Sequence, residues 1–207
     1  MAGLSKLSVS DLSDIAVVAG ADAPLLNTLR ILYSPHLYEG GTEPGITTTL
    51  PTFASSCTTL VAAGTAPPSR GTEEFLGKFT SGARTAAVSL SFSTIVAGPL
   101  SEDTSDDYVD VGIWLGDGAF EQGHEVPALT ALGLQGWARG GAKITKRKFK
   151  PPPRATDTAL FAESYRELVD THSFCVSCQG SSEIVCFLLG RLPEGWCGLV
   201  SVAVAVD

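Results

Sequence analysis

The chain of 207 residues has few charged side chains, only three histidines and no long apolar run. Charged residues make up 17% of the sequence, which excludes the charge-rich composition of disordered proteins. No stretch approaches the roughly 20 apolar residues that a membrane span needs. The N-terminus also lacks the basic-then-apolar pattern of a signal peptide. We therefore expect a protein that neither spans a membrane nor is secreted.

Sequence signatures of common catalytic and nucleotide-binding sites are also missing. There is no Gly-x-Ser-x-Gly elbow, no phosphate-binding loop and no dinucleotide fingerprint. The carboxylates do not follow the spacing of an EF-hand loop. We therefore predict a protein without enzymatic activity.

Basic residues are nearly absent from the first 60 positions, which contain only Lys6 and Arg30. Further along, the two signs of charge are segregated. Eight acids and no lysine or arginine lie between Ser101 and Glu125, a number equal to the net charge of −8. This acidic total argues against a free-standing duplex-DNA binder. Six of the 14 bases then follow within twelve residues: Lys143, Lys146, Arg147, Lys148, Lys150 and Arg154.

The six clustered bases form the candidate contact with RNA or with a neighbouring subunit. Lysine and arginine bind phosphates and carboxylates, and Phe149 offers one ring for stacking on a base. A basic edge strand, protected from pairing by its charge, is the structural alternative. Part of the acidic run is a candidate calcium site, with a solvated loop as the alternative. Its carboxylates are Asp103, Asp106, Asp107 and Asp110.

Five cysteines, an odd number, do not make a disulfide framework, so we expect reduced, buried thiols. A zinc site is the alternative, with His172, Cys175 and Cys178 as first ligands and Cys186 and Cys197 as further ones. Apolar and polar residues alternate around Cys175, which indicates a strand. Cys175 and Cys178 would then point to opposite faces, and this argues against a shared metal.

Hydrophobic periodicity predicts two helices and a series of strands from Arg84 onward. The strands are predicted at Arg84–Ala97, at Val109–Leu115, within Ala138–Phe149, and at Ser173–Gln179, Ile184–Leu189 and Gly198–Val206. The helices are predicted at Ser8–Gly20 and Thr156–Thr171.

These elements predict a mainly β fold. We expect an antiparallel β-sandwich or jelly roll with an N-terminal helix and one or two short helices in the connections. One structural domain is expected overall. Within it, residues 1–70 would form an N-terminal helix and extended arm that contributes to assembly, and residues 71–207 the β-sandwich shell domain.

The strand pattern from Arg84 to Asp207, the many small and hydroxyl residues and the low charge resemble coat proteins of small icosahedral RNA viruses. In size and acidity the chain is similar to the coats of tymovirus-like particles. The resemblance implies a capsid protein that self-assembles into an icosahedral shell around genomic RNA. It also implies weak or cation-assisted RNA contacts, with polyamines or calcium as candidate cofactors and no membrane partner.

Location in the virion, and in the host cytoplasm during assembly, follows from the same resemblance. We further expect Trp114, Trp137 and Trp196 to lie at outer positions and to be covered on assembly. Two other functions remain open. One is a small β-sandwich that binds a ligand, lectin-like or trimeric cytokine-like. The other is a cupin-type enzyme, which needs His36, His124 or His172 to converge with carboxylates.

Overall fold

The computed structural model describes residues 22–33, 51–54, 59–98, 108–138 and 141–204. These ranges contain helices α1 Ala23–Leu32, α2 Arg70–Ser89, α3 Glu125–Ala131 and α4 Ala159–Glu167. The strands are β1 Thr52–Phe53, β2 Thr59–Val61, β3 Val111–Gly116, β4 Lys143–Arg147, β5 Val169–Ser177, β6 Glu183–Leu192 and β7 Gly195–Val204. Short 3-10 helices occupy Gln135–Ala138 and Thr156–Thr158.

All seven described strands belong to one sheet, in the order β1-β2-β3-β7-β6-β5-β4. The β2–β3 pair is parallel and the other pairs are antiparallel, so the sheet is mixed. The expectation of a sheet-rich fold is confirmed, whereas a two-sheet jelly roll is not. Strands β1 and β2, which lie in the stretch expected to form an arm, are hydrogen-bonded into this same sheet.

Helices cover both faces of the sheet. On the first face, α1, α3 and the 3-10 helix at Gln135–Ala138 pack over side chains such as Ile113, Phe187 and Val200. On the second face, α2 and α4 pack over Trp114, Leu188 and Leu199. Successive residues of a strand point to opposite faces, so β3, β6 and β7 are apolar nearly throughout rather than alternating.

Most of the strand predictions are confirmed. Strand β3 matches the prediction at Val109–Leu115, β4 lies within Ala138–Phe149, and β5 to β7 overlap the three closing strands but each begins earlier than predicted. Helix α4 lies within the predicted Thr156–Thr171, but β5 already begins at Val169. The predicted helix at Ser8–Gly20 lies outside the described residues. No helix in the described ranges is long and apolar enough to cross a lipid bilayer.

The predicted strand at Arg84–Ala97 is wrong, because α2 continues to Ser89. Alanine has the highest helix propensity, and the run of small residues here fits a period of 3.6 as well as a period of two. The helix ends in a Schellman motif, in which the Phe92 amide donates to the Ala87 carbonyl at 2.9 Å. Ser91, with φ of 57°, holds the left-handed position that glycine usually occupies.

Residues Ser93–Ala97, which follow this helix end, form a buried segment that we call the strap. Its Ile95, Val96 and Ala97 side chains belong to the apolar cluster on the second face of the sheet. Side chains near two separate strands hold the strap by hydrogen bonds. Asp110, just before β3, accepts from its amides, and Arg147, on the edge strand β4, donates to its carbonyls. The strap therefore crosses beneath the central strands.

Candidate functional site

Strand β4 is the edge of the sheet, because it pairs only with β5 among the described strands. Lys143 and Lys146 lie on this strand, and Lys148 and Lys150 on the extended segment after it, and all four are exposed. None of the four forms a salt bridge with any residue in the described ranges. They give an acidic chain one concentrated positive edge.

The other two bases of the predicted contact are already engaged. The Arg147 guanidinium is half-buried, and its Nη1 donates to the carbonyls of Val96 and Ala97, each at 3.2 Å. Arg154 forms an ion pair with Glu163 on α4. The structure therefore divides the six predicted bases into four exposed lysines and two arginines with intramolecular partners.

Phe149 is not available as a stacking platform. Its ring packs against the rings of Phe161 and Tyr165 on α4, with centroids 6.0 and 5.5 Å away. A polyanion bound along this edge would contact lysine ammonium groups and backbone, but it would not stack on Phe149. Contacts of this kind bind phosphates and do not read bases.

The carboxylates of the predicted calcium site fall into two groups. Asp103, Asp106 and Asp107 lie outside the described residues. Asp110 is only 3% exposed, and its carboxylate accepts the Ile95 amide at 2.7 Å and the Val96 amide at 3.2 Å. Burial raises the pKa of Asp110 to about 7, against the opposite effect of these two hydrogen bonds.

Two residues from separate predicted sites, Asp110 and Arg147, thus meet at the strap. Asp110 accepts the amide of Val96, and Arg147 donates to the carbonyl of the same residue. The sequence analysis assigned Asp110 to a possible cation site and Arg147 to a contact with RNA or a neighbouring subunit. Their shared partner is a backbone segment that sequence analysis did not identify as important, because nothing in its composition marks it as a buried crossing.

A buried disulfide lies on the same face. Cys175 and Cys186 are directly opposite each other on β5 and β6 and are bonded, so the expectation of reduced thiols is wrong for this pair. Cys186 in turn pairs with Ser201 on β7, whose buried hydroxyl has no hydrogen-bond partner among the described residues. Arg147 Nη1 lies 3.6 Å from Cys175 Sγ and 3.9 Å from Cys186 Sγ.

Cys178 and Cys197, the free cysteines of the described ranges, do not assemble a zinc site there. Cys178 packs on the first face of the sheet, where its thiol donates to the Trp137 carbonyl, while Cys175 lies on the second face. The predicted separation of these two cysteines is confirmed. Cys197 is a buried free thiol. Within the described ranges no three His, Cys, Asp or Glu side chains converge on a point that a metal ion could occupy.

Two of the histidines approach acidic residues near α3. His124 Nδ1 lies 3.4 Å from Glu121 Oε1, and the buried Glu125 carboxylate accepts the Gly123 amide at 3.1 Å. Burial lowers the pKa of His172, while the charges of Glu125 and Glu121 raise it less strongly. The group is an ionisable cluster without the three converging ligands that a cupin-type metal site requires. His36 lies outside the described residues.

The tryptophans expected at outer positions are buried. Trp114, Trp137 and Trp196 are 4%, 1% and 4% exposed. The indole Nε1 of Trp114 donates to the Ala66 carbonyl, and that of Trp137 donates to the Leu32 carbonyl. The large apolar side chains that do reach the surface in the described ranges are Val88, Leu90, Val126, Leu160 and Val169.

No protein-family model matches this sequence, and no curated protein matches it either.

Proposed function

We propose that the chain is a self-assembling coat protein whose basic sheet edge contacts RNA. The observation that carries this proposal is the set of four exposed lysines on and after the edge strand β4, none of which forms a salt bridge within the described ranges. In a chain of net charge −8, these lysines are a local exception that attracts a polyanion. The resemblance to coat proteins supports the self-assembly part of the proposal.

Protection of a sheet edge is the other function that lysines on β4 could serve. Lys143 and Lys146 fit that function, because they lie on the strand itself. Lys148 and Lys150 lie beyond the strand, where no ladder needs protection. Three prolines follow directly and keep the chain extended, so these two lysines continue the positive edge. Contact with an extended polyanion accounts for all four positions.

Helices cover both faces of the described sheet. Contacts between subunits of a shell would therefore involve the sheet edges and the outer surfaces of the helices. The coat proposal retains the expectation of a jelly-roll arrangement. Calcium and polyamines enter the proposal as counter-ions for the acidic run.

The assembly part is tested by the mass of the purified full chain. Light scattering coupled to size exclusion, with negative-stain imaging of the peak, should give a uniform particle in the megadalton range. The measurement is repeated at neutral and acidic pH, with and without calcium or spermidine. A monomer or trimer under every condition would refute the coat proposal and favour a ligand-binding module.

The RNA contact is tested by the salt dependence of binding to a single-stranded RNA oligonucleotide. Four phosphate contacts predict a slope of log K against log salt of about −2.8, at roughly −0.7 per contact. Replacing all four lysines with glutamine should abolish most of this slope.

A second variant provides a control with the same loss of charge. It replaces four exposed bases away from the edge with glutamine: Arg30, Lys78, Arg166 and Arg191. We expect this control variant to keep a slope close to that of the native protein. Equal loss in both variants would show a general charge effect, and the edge would not be the RNA contact.

A further inference from the structure

A disulfide, a guanidinium and a backbone crossing share one buried place on the second face of the sheet. The sulfurs of Cys175 and Cys186 are buried on adjacent strands. Arg147 reaches them from β4 with the same nitrogen, Nη1, that donates to the Val96 and Ala97 carbonyls of the strap. Two oxygens and two sulfurs therefore compete for the hydrogens of one nitrogen.

We propose that Cys175–Cys186 is a reducible site for dithiols, and that the thiolate formed there draws Arg147 away from the strap. The neutral carbonyl oxygens hold Nη1 only while the sulfurs are bonded to each other and uncharged. A hydrogen bond to an ionised acceptor is about twice as strong as one to a neutral acceptor. Reduction thus reverses the order of preference among the four acceptors.

The chemistry is thiol–disulfide exchange with a dithiol as the reductant. One thiolate of the reductant attacks Cys175 Sγ, the Cys175–Cys186 bond breaks, and Cys186 leaves as a thiolate beside Arg147. The second thiol of the reductant then displaces Cys175 and closes the oxidised, cyclic reductant. In total the dithiol gives two electrons and two protons to the protein disulfide. Where one cysteine stays a thiolate beside Arg147, its proton remains in solution.

The surroundings of Arg147 favour this thiolate. Burial lowers the pKa of Arg147, because its charge is incompletely solvated. No carboxylate in the described ranges forms an ion pair with it. A thiolate at the present sulfur positions would supply the missing negative charge. Cations next to a cysteine lower the thiol pKa by one unit or more.

Access to the sulfurs is through the edge of the sheet. Cys175 lies on β5, and the only described strand outside it is β4, which has five residues and mostly exposed side chains. Such an edge strand opens locally more easily than the central strands do. Cys175 is the sulfur nearer to that edge, so it is the one attacked.

The first test compares redox equilibria of the full chain in mixtures of reduced and oxidised dithiothreitol at pH 8. Samples are quenched with iodoacetamide and the reduced fraction is read by mass. Arg147→Gln should need about threefold more reduced dithiol at the midpoint, as expected for loss of a one-unit decrease in thiol pKa. Lys146→Gln removes an equal charge from the next residue and should match the native protein. Reduction of Arg147→Gln at the native midpoint or below it would overturn the proposal.

The second test measures amide hydrogen exchange in peptides covering the strap and needs no Arg147 variant. Exchange should be about fivefold faster in the reduced native protein than in the oxidised one, as expected for loss of one hydrogen bond. A variant with both Cys175→Ala and Cys186→Ala has no thiolate and should keep the oxidised rate. Equal rates in the two native forms, or fast exchange in the double variant, would show that the thiolate does not move Arg147.

Discussion

We predict that the contribution of Asp110 to the free energy of unfolding decreases as pH rises. The carboxylate is 3% exposed and accepts two strap amides. Burial raises its pKa from 3.8 to about 7 in the folded chain. Between these two values the folded state keeps the proton and the unfolded state releases it. Since the folded state binds more protons there, the free energy of unfolding falls as pH rises from about 4 to about 7.

The size of the effect follows from the difference between the two pKa values. At about 1.4 kcal/mol per pKa unit, the shift corresponds to about 4 kcal/mol lost between pH 4 and pH 7, with little change above. The Asp110 side chain is only 3% exposed, so solvent screening reduces this energy little. Such a loss is a large part of the stability of a typical domain.

The assay is urea unfolding of the native chain and of Asp110→Asn at several pH values between 4 and 9. The other carboxylates titrate in both proteins, so their contributions cancel in the difference. Asparagine has no acidic proton but loses one of the two accepted hydrogen bonds, which adds a penalty independent of pH. We expect the advantage of the native protein over the variant to shrink by about 4 kcal/mol from pH 4 to pH 8.

A flat difference would mean that the Asp110 pKa is the same in the folded and unfolded chains. A difference that grows with pH would mean that the strap amides hold the carboxylate ionised and outweigh its burial. Either result would refute the reasoning from burial.

Three further predictions concern α2 and the groups that pack against it. Gly82→Ala should lower the free energy of unfolding by about 1–3 kcal/mol in the same urea assay, because a Cβ there would lie 2.8 Å from the Phe161 backbone nitrogen. Gly77→Ala is the matched control on the same helix. A Cβ at Gly77 would meet nothing within 4 Å, so this substitution should raise the free energy of unfolding by about 0.5–1 kcal/mol. Ser69→Ala removes the side chain that accepts the Thr72 amide and should lower the free energy of unfolding by about 1 kcal/mol. Hydroxyls of Ser69 and Thr72 donate to the Glu194 carboxylate and lower its pKa from the ordinary value of 4.5. This contribution to stability is present above pH 4.5 and is lost as the pH falls through the lowered pKa, so Glu194→Gln should reduce the acid sensitivity of thermal unfolding.

Strand predictions succeeded where β-branched and aromatic residues dominate the local sequence. Val200, Val202 and Val204 of β7 illustrate this, because valine favours extended backbone at a sheet face. The sheet order could not be predicted, since β7 inserts between β3 and β6 through contacts distant in sequence. The covering helices were underestimated for the same reason: nothing local shows that both faces of each strand are buried.

Helix α1 had detectable sequence features. Asp22 caps it by accepting the Leu25 amide, Pro24 lies in its first turn, and Leu25, Leu29 and Leu32 share one face. Such a cap and spacing predict a helix. Only part of the candidate site could be predicted from the sequence. The four edge lysines follow from charge and periodicity, whereas the roles of Arg147 and Asp110 depend on the strap, which only the folded chain brings to them.

The position of β3 between β2 and β7 has a consequence for folding during synthesis. Strands β5, β6 and β7 are consecutive antiparallel neighbours, and they can pair as soon as each is complete. Strand β3 is made much earlier, yet one of its two neighbours is β7, the last strand described. Its apolar residues must therefore wait, with an open ladder, until the later strands arrive. A chaperone that shields β3 over this interval should increase the yield of native protein, and pausing translation between β3 and β7 should decrease it.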